Sequence, residues 1–146
     1  MNLLALSFDQ LNSLKQSIEE ELQGLQGAIQ QLQISRNKLT TAKGSIERLQ
    51  GTPTGTKMLV PITSSLYVPG ETADLDSVLV DVGTGYFIEK SVEQAQAFLT
   101  RKMGLIEGQA MNVQKAAQMK NQNLSQTIEV MNRKMMEAEA QAAKAS

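Results

Sequence analysis

Lys57-Met-Leu-Val-Pro-Ile-Thr-Ser-Ser-Leu-Tyr-Val-Pro-Gly70 and, after a polar link, Ser77-Val-Leu-Val-Asp-Val-Gly-Thr-Gly-Tyr-Phe-Ile-Glu-Lys90 are the runs that decide the fold. They are short, rich in β-branched and aromatic residues, and punctuated by Gly, Pro and Ser, which is the pattern of strands joined by turns. Val82-Gly-Thr-Gly-Tyr86 predicts a tight hairpin turn, because its glycines adopt positive φ without steric cost. Thr63-Ser64-Ser65 predicts the turn of a first hairpin. Pro61 points to an edge or a bulge, since proline cannot donate to a ladder. A lone hairpin is marginal in water. Apolar residues nevertheless crowd both faces here, and no other globular segment of the chain is present to cover them. Leu59, Val60, Ile62, Leu66 and Val68 of the first hairpin are therefore expected to meet other subunits, as are Val78, Val80, Val82, Phe87 and Ile88 of the second.

Long helical segments flank this region. The first is expected over residues 7–50. Ser7 with Gln10 fits a capping box, with Leu6 and Leu11 at the staple positions. Leu11, Ile18, Leu25, Leu32, Leu39 and Ile46 follow at exact seven-residue spacing, a strong coiled-coil signal. The companion positions Leu14, Glu21, Ala28, Ser35, Ala42 and Leu49 are weak in the middle, where Leu22 and Ile29 widen the stripe.

The second helix is expected over residues 91–140, opened by a capping box of Ser91 with Gln94. Val92, Leu99, Ile106 and Val113 form one line. Met103, Ala110, Ala117, Leu124, Met131 and Ala138 form the other. Lys120, Thr127 and Lys134 break the first line, and Ile128 and Met135 partly replace it one position along. The closing Ala-rich tail should fray.

The expected class is α+β: a long antiparallel coiled-coil hairpin with two central β-hairpins, residues 57–90, in a single domain over 1–146. Aligning Gln50 with Val92 places residue i opposite roughly residue 142 − i. Large residues then repeatedly face small ones, as close packing requires.

Composition bounds the chemistry. The chain has 146 residues, a net charge of −1, 3% aromatics, and no Trp, Cys or His. The charge supplies no bulk attraction to nucleic acid or anionic membranes. Without Cys there is no disulfide scaffold or thiolate metal site. Without His the commonest metal ligand and general base is missing, so no metal, cofactor or enzymatic activity is expected. The run Leu3 to Leu6 has no basic region before it and does not read as a signal peptide, and no run approaches a membrane span. Cytosolic residence is the expectation, with nuclear access left open. Gly51-Thr-Pro-Thr-Gly55 with Lys57 superficially suggests a phosphate loop. The glycine spacing, the position of the lysine and Met58 all depart from that motif, so a plain loop is the reading. Asp81 is the one carboxylate in an apolar setting and reads as an outward strand residue or an acceptor for the neighbouring turn.

Six of the eight methionines fall after residue 100. Met103 and Met131 suit seam positions. Flexible, polarizable Met side chains also make adaptable contact surfaces. The alignment gathers Leu3, Leu4, Leu6, Phe8 and Leu11 with Ile128, Met131, Met135 and Met136 at one end of the helix pair. An apolar patch of this kind marks a binding site.

Leu59-Val-Pro-Ile-Thr-Ser-Ser-Leu-Tyr-Val-Pro-Gly70 and Val80-Asp-Val-Gly-Thr-Gly-Tyr-Phe-Ile-Glu-Lys90, set between two long helices, resemble the α-type subunits of the prefoldin family. The resemblance spans almost the whole chain. It implies a hetero-hexamer of two α-type and four β-type subunits, with hairpins joined in an oligomeric β-barrel and coiled-coil arms hanging from it. It also implies a chaperone that holds unfolded clients, actin and tubulin chains among them, and passes them to the cytosolic chaperonin without using ATP. Two other readings are a structural coiled-coil spacer and an adaptor subunit of a prefoldin-like assembly complex. A spacer, however, has no need of apolar residues at one end.

Overall fold

A computed structural model describes residues 3–145. A 3-10 turn at Leu3–Ala5 leads into α1 (Phe8–Gln50). Four strands follow: β1 (Lys57–Pro61), β2 (Tyr67–Glu71), β3 (Ser77–Gly83) and β4 (Tyr86–Ser91). The chain closes with α2 (Val92–Ala145). The α+β class, with a coiled-coil helix hairpin and two central β-hairpins, is as the sequence predicts. The chain divides into two compact units: Met1–Gln33 with Gly108–Ser146, and Ile34–Glu107.

Both capping boxes form. The Ser7 N–H donates to Gln10 Oε1 at 2.9 Å, and the Gln10 N–H donates back to Ser7 Oγ at 3.2 Å. Ser91 and Gln94 repeat the exchange, each bond 3.3 Å. These bonds satisfy helix N-terminal donors that have no partner within the helix.

In the first unit the core consists of Leu11, Ile18 and Leu22, with Thr127 buried beside them at 1% exposure. Leu22 is buried where Glu21 and Ala28 are exposed, so the stripe widens there as its sequence indicates. Lys120 pairs with Glu21, one residue from the predicted alignment. In the second unit Arg36 pairs with Glu107 at 2.9 Å, again one residue away.

The seam of α2 departs from expectation in its last third. Thr127 and Lys134 do not break the line; they continue it at seven-residue spacing. Ile128 and Met135, expected to take over, are exposed instead. The reason is that each polar side chain finds a partner. The Thr127 hydroxyl donates to the Asn123 carbonyl at 2.8 Å, and Lys134 Nζ donates to the Leu6 carbonyl at 2.6 Å. A buried polar group is tolerated when it is hydrogen-bonded. α2 runs through the Ala-rich tail to Ala145, beyond the expected end at residue 140, consistent with alanine being the strongest helix former; Ser146 lies outside the described residues.

The second unit carries the strands as two separate two-stranded antiparallel sheets. β1 and β2 pair from Lys57 with Glu71 to Pro61 with Tyr67. β3 and β4 pair from Ser77 with Ser91 to Gly83 with Tyr86, with a register shift between Asp81 and Gly83. Thr84 and Gly85 at the second turn have φ of 53° and 79°, the signs a type I′ hairpin turn demands. Asp81 Oδ1 accepts the Gly83 N–H at 2.8 Å, which is the turn-acceptor role read from sequence. Val80, Val92, Ala95 and Leu99 form this unit's core.

The Gly51–Gly55 loop is closed by threonines. The Gly55 N–H donates to the Thr72 carbonyl at 2.7 Å, and the Thr56 N–H to Thr72 Oγ1 at 2.9 Å. Thr72 Oγ1 in turn donates to the Pro53 carbonyl at 3.0 Å. Amides that a phosphate loop would aim at a ligand are engaged within the chain, in keeping with a plain loop.

Gly24 and Gly27 lie inside α1, and a Cβ at either would meet nothing within 4 Å. No packing requirement keeps them glycine. Gly24→Ala with Gly27→Ala should therefore stabilise the first unit by about 1 kcal/mol per site. A thermal melt followed by circular dichroism should show a midpoint several degrees higher.

Candidate interaction surfaces

Beyond scattered exposed residues along the helices (Ile34, Leu105, Met111 and Met119), two regions gather apolar side chains in water. The first is the pair of β-hairpins. Along β1 and β2 neither face is covered: Met58, Leu59, Val60, Tyr67 and Val68 are all exposed, as are Ile62 and Leu66 in the turn between the strands. A two-stranded ribbon exposed on both faces is not independently stable. Its open edges also present unpaired backbone groups to any further strand.

The second hairpin is different. Val80 is 9% exposed and Val78 half-buried, whereas Leu79 between them is 70% exposed. Val78 and Val80 share a cleft with Leu39 and Ile46 of α1 and Leu99 of α2. The expectation that Val80 lacks a cover of its own is thus corrected: helices of the same unit supply it. The period of two along a strand puts Leu79 on the opposite, open face. Val82 has the parity of Val80 yet is exposed. It sits where the register shifts, and a bulge re-aims the side chain it carries. Phe87 and Ile88 on β4 are exposed.

The second region is in the first unit, where α1 begins and α2 ends. Leu4, Phe8, Ile128, Met135 and Met136 are exposed, Met136 by 71%. Leu3, Leu6 and Met131 are half-buried. Leu11 is 0% exposed, so this candidate contact residue is corrected to a core residue. It occupies the first full seam position of α1 and is needed to hold the helices together there. Among the described residues, no group of three or more acidic, His or Cys side chains is placed to hold a metal ion, and no helix is long and apolar enough to cross a membrane.

The prefoldin subunit family model matches residues 18–137. The chain belongs to the prefoldin family. It is 44% identical to the probable prefoldin subunit 5 of Dictyostelium discoideum, over 92% of this chain and 84% of that one. It is 36% identical to human prefoldin subunit 5, over 96% of this chain and 91% of the relative. The fold also resembles the filamentous PFD of Methanocaldococcus jannaschii solved by cryo-EM. The TM-score is 0.70 at 19% identity, covering 78% of this chain and 94% of that one. The chain is a prefoldin chaperone subunit, of a co-chaperone family and not a family of enzymes.

Two features of this prefoldin subunit escape a reading of its sequence. Leu79, Tyr67 and Tyr86 are among its exposed large apolar residues, and none stands among the residues predicted to meet other subunits. Strict strand alternation would have placed Leu79 opposite Val78 and Val80. Lys134 reads as an interruption of the seam in the sequence, because its partner, the Leu6 carbonyl ahead of α1, leaves no local signal.

The contrast between neighbours gives a direct check. Val80→Asp should bury an unpaired carboxylate and destabilise the second unit by about 3 kcal/mol or more. Leu79→Lys should leave folding nearly unchanged, because its cross-strand partner is Glu89 and opposite charges there attract. Thermal melts of the two variants by circular dichroism should separate clearly.

Proposed function

We propose that this chain is an α-type subunit of a hexameric, ATP-independent co-chaperone, the whole chain acting as one prefoldin-type domain. Its hairpins join those of a second α-type and four β-type subunits in a β-barrel. The end of its helix pair holds unfolded proteins, actin and tubulin chains among them, for transfer to the cytosolic chaperonin. The work is cytoplasmic, with access to the nucleus left open, and involves neither nucleic acid nor membrane.

The observation that carries this reading is the placement of exposed apolar side chains. Leu59, Ile62, Leu66, Leu79 and Phe87 are concentrated on hairpins, where pairing and packing with other strands would bury them. Phe8, Ile128, Met135 and Met136 are exposed beyond the helix seam, where a fixed subunit contact is not needed to complete the helix pair. Each could gain up to ~1.5–3 kcal/mol on full burial by a client. Several weak contacts shared among arms add by avidity and still allow release. Leu and Met repack readily, so selectivity should be broad.

Two variants separate the roles. Leu59→Lys with Leu79→Lys should release the chain from its complex, read by native mass spectrometry; a complex of unchanged mass would count against assembly through the hairpins. Phe8, Ile128, Met135 and Met136 changed together to Ser should leave the complex intact. Suppression of aggregation of denatured citrate synthase should fall by a fraction, since other subunits contribute arms. Unchanged suppression, together with unchanged crosslinking of the client to this region, would remove it as the client site.

A further inference from the structure

Methionine carries all the sulfur of this chain, which has no Cys. Among the described residues none of that sulfur is in a core: the buried side chains of both units are Leu, Ile, Val, Ala and Thr. Met103 and Met131 are half-buried. Met58, Met111 and Met119 are exposed singly along β1 and α2. Met135 and Met136 differ from these. They are adjacent, both are exposed, and they stand in the apolar surface at the end of the helix pair. Met135 follows Met131 by four residues and Ile128 by seven, so the three share one face of α2. Met136 is the most exposed of the described methionines, at 71%. A thioether has no proton to lose, so its oxidation needs no neighbouring base. Access of the oxidant to the sulfur is enough, and these two side chains have it.

We propose that Met135 and Met136 are a reversible oxidation site that lowers the hold of this surface on its clients. This rests on the reading that clients bind at this end of the helix pair. The oxidant is a hydroperoxide, in the simplest case hydrogen peroxide. A sulfur lone pair takes one peroxide oxygen: the S–O bond forms as the O–O bond breaks, sulfur gives up two electrons, and the other oxygen leaves as water. The sulfoxide is polar where the thioether was apolar. A client that buries it must strip water from the new oxygen, which costs free energy unless a hydrogen bond replaces it. The return step is that of the methionine sulfoxide reductases: two thiols become a disulfide and the oxygen leaves as water. The fold survives the cycle, because the oxidised sulfur lies outside both cores.

The test uses the assembled complex containing the full chain, treated with hydrogen peroxide and then with catalase before denatured citrate synthase is added. Peptide mass spectrometry should find Met135 and Met136 oxidised several-fold sooner than the half-buried Met103 and Met131. Native mass spectrometry should show the complex unbroken and heavier only by the added oxygen. Crosslinking of the client to this end of the chain should fall several-fold. The two sulfoxide reductases, one for each epimer, with a dithiol should restore it. Met135→Leu with Met136→Leu keeps the apolar bulk without the sulfur and leaves every other methionine to oxidise as before. That complex should keep its crosslinking after peroxide. Equal losses in the two complexes would overturn the switch while the client site stands. Oxidation of Met135 and Met136 no sooner than Met103 and Met131 would overturn the modification site. If the untreated complex with Phe8→Ser, Ile128→Ser, Met135→Ser and Met136→Ser holds the client as well as wild type, the client site itself is lost and the switch with it, whereas the order of oxidation still decides the modification site.

Discussion

A pair of helices can bury only the stripe along which they touch, and this limit governs the rest of the molecule. Among the described residues, seven apolar side chains are buried and twenty-one large ones are exposed. A globular domain places its large apolar residues the other way round. The imbalance is distributed by position: the seam residues are covered, whereas most apolar residues of the hairpins, several at the end of the helix pair, and Ile34, Leu105, Met111 and Met119 along the helices are exposed. A chain built in this way depends on other chains for much of its apolar burial. In the proposed assembly the β-hairpins would hold such contacts in fixed geometry through backbone pairing, while the helix end would offer Met and Leu side chains with no fixed geometry.

The two hairpins serve that division differently. The first is exposed on both faces and is held by its turn, its five-residue register, the Thr72 bonds to Gly55, Thr56 and Pro53, and any strand it meets. The second is seated by Val78 and Val80 on helices of its own unit, so it is the pre-formed one of the two. Its outer face, with Leu79 and Phe87, is presented in a defined orientation. Binding through a pre-organised surface loses less conformational entropy than binding through a segment that must first be ordered. On that ground the second hairpin is the better candidate to be recognised first, with the first hairpin adding to a contact already made.

What the sequence discloses is what local chemistry decides. The capping boxes at Ser7 and Ser91, the glycine turn after Val82, the end of α1 at Gln50 and the seven-residue stripe each depend on residues near one another in the chain. Even the pairing of the helices is readable, because the stripe fixes it to within a residue at Glu21 and Arg36. Reading fails where a partner is distant or alternation is interrupted. Val80 and Val82 look equivalent until a bulge separates them. Leu11 looks like part of an exposed patch, yet it is 0% exposed. Ile128 looks like a seam residue because Thr127 looks unfit to be one.

The polar seam raises the question of why Lys120, Thr127 and Lys134 stand where leucine would pack. Burial of a leucine stabilises by about 1.5–3 kcal/mol. The Lys120–Glu21 pair is roughly half exposed on both sides, and such pairs contribute at most about 1 kcal/mol. Stability therefore does not favour the polar choice, but register does. An unbroken leucine seam repeats every seven residues and can slide by a heptad at little cost, whereas a polar seam residue has one register in which its partner is present. Sliding α2 along α1 would leave Glu21 without Lys120 and remove the Leu6 carbonyl from Lys134. The cost of those unmade bonds holds the register at the end of the helix pair. A seam that is specified strongly and stabilised weakly can open locally and close again in the same alignment.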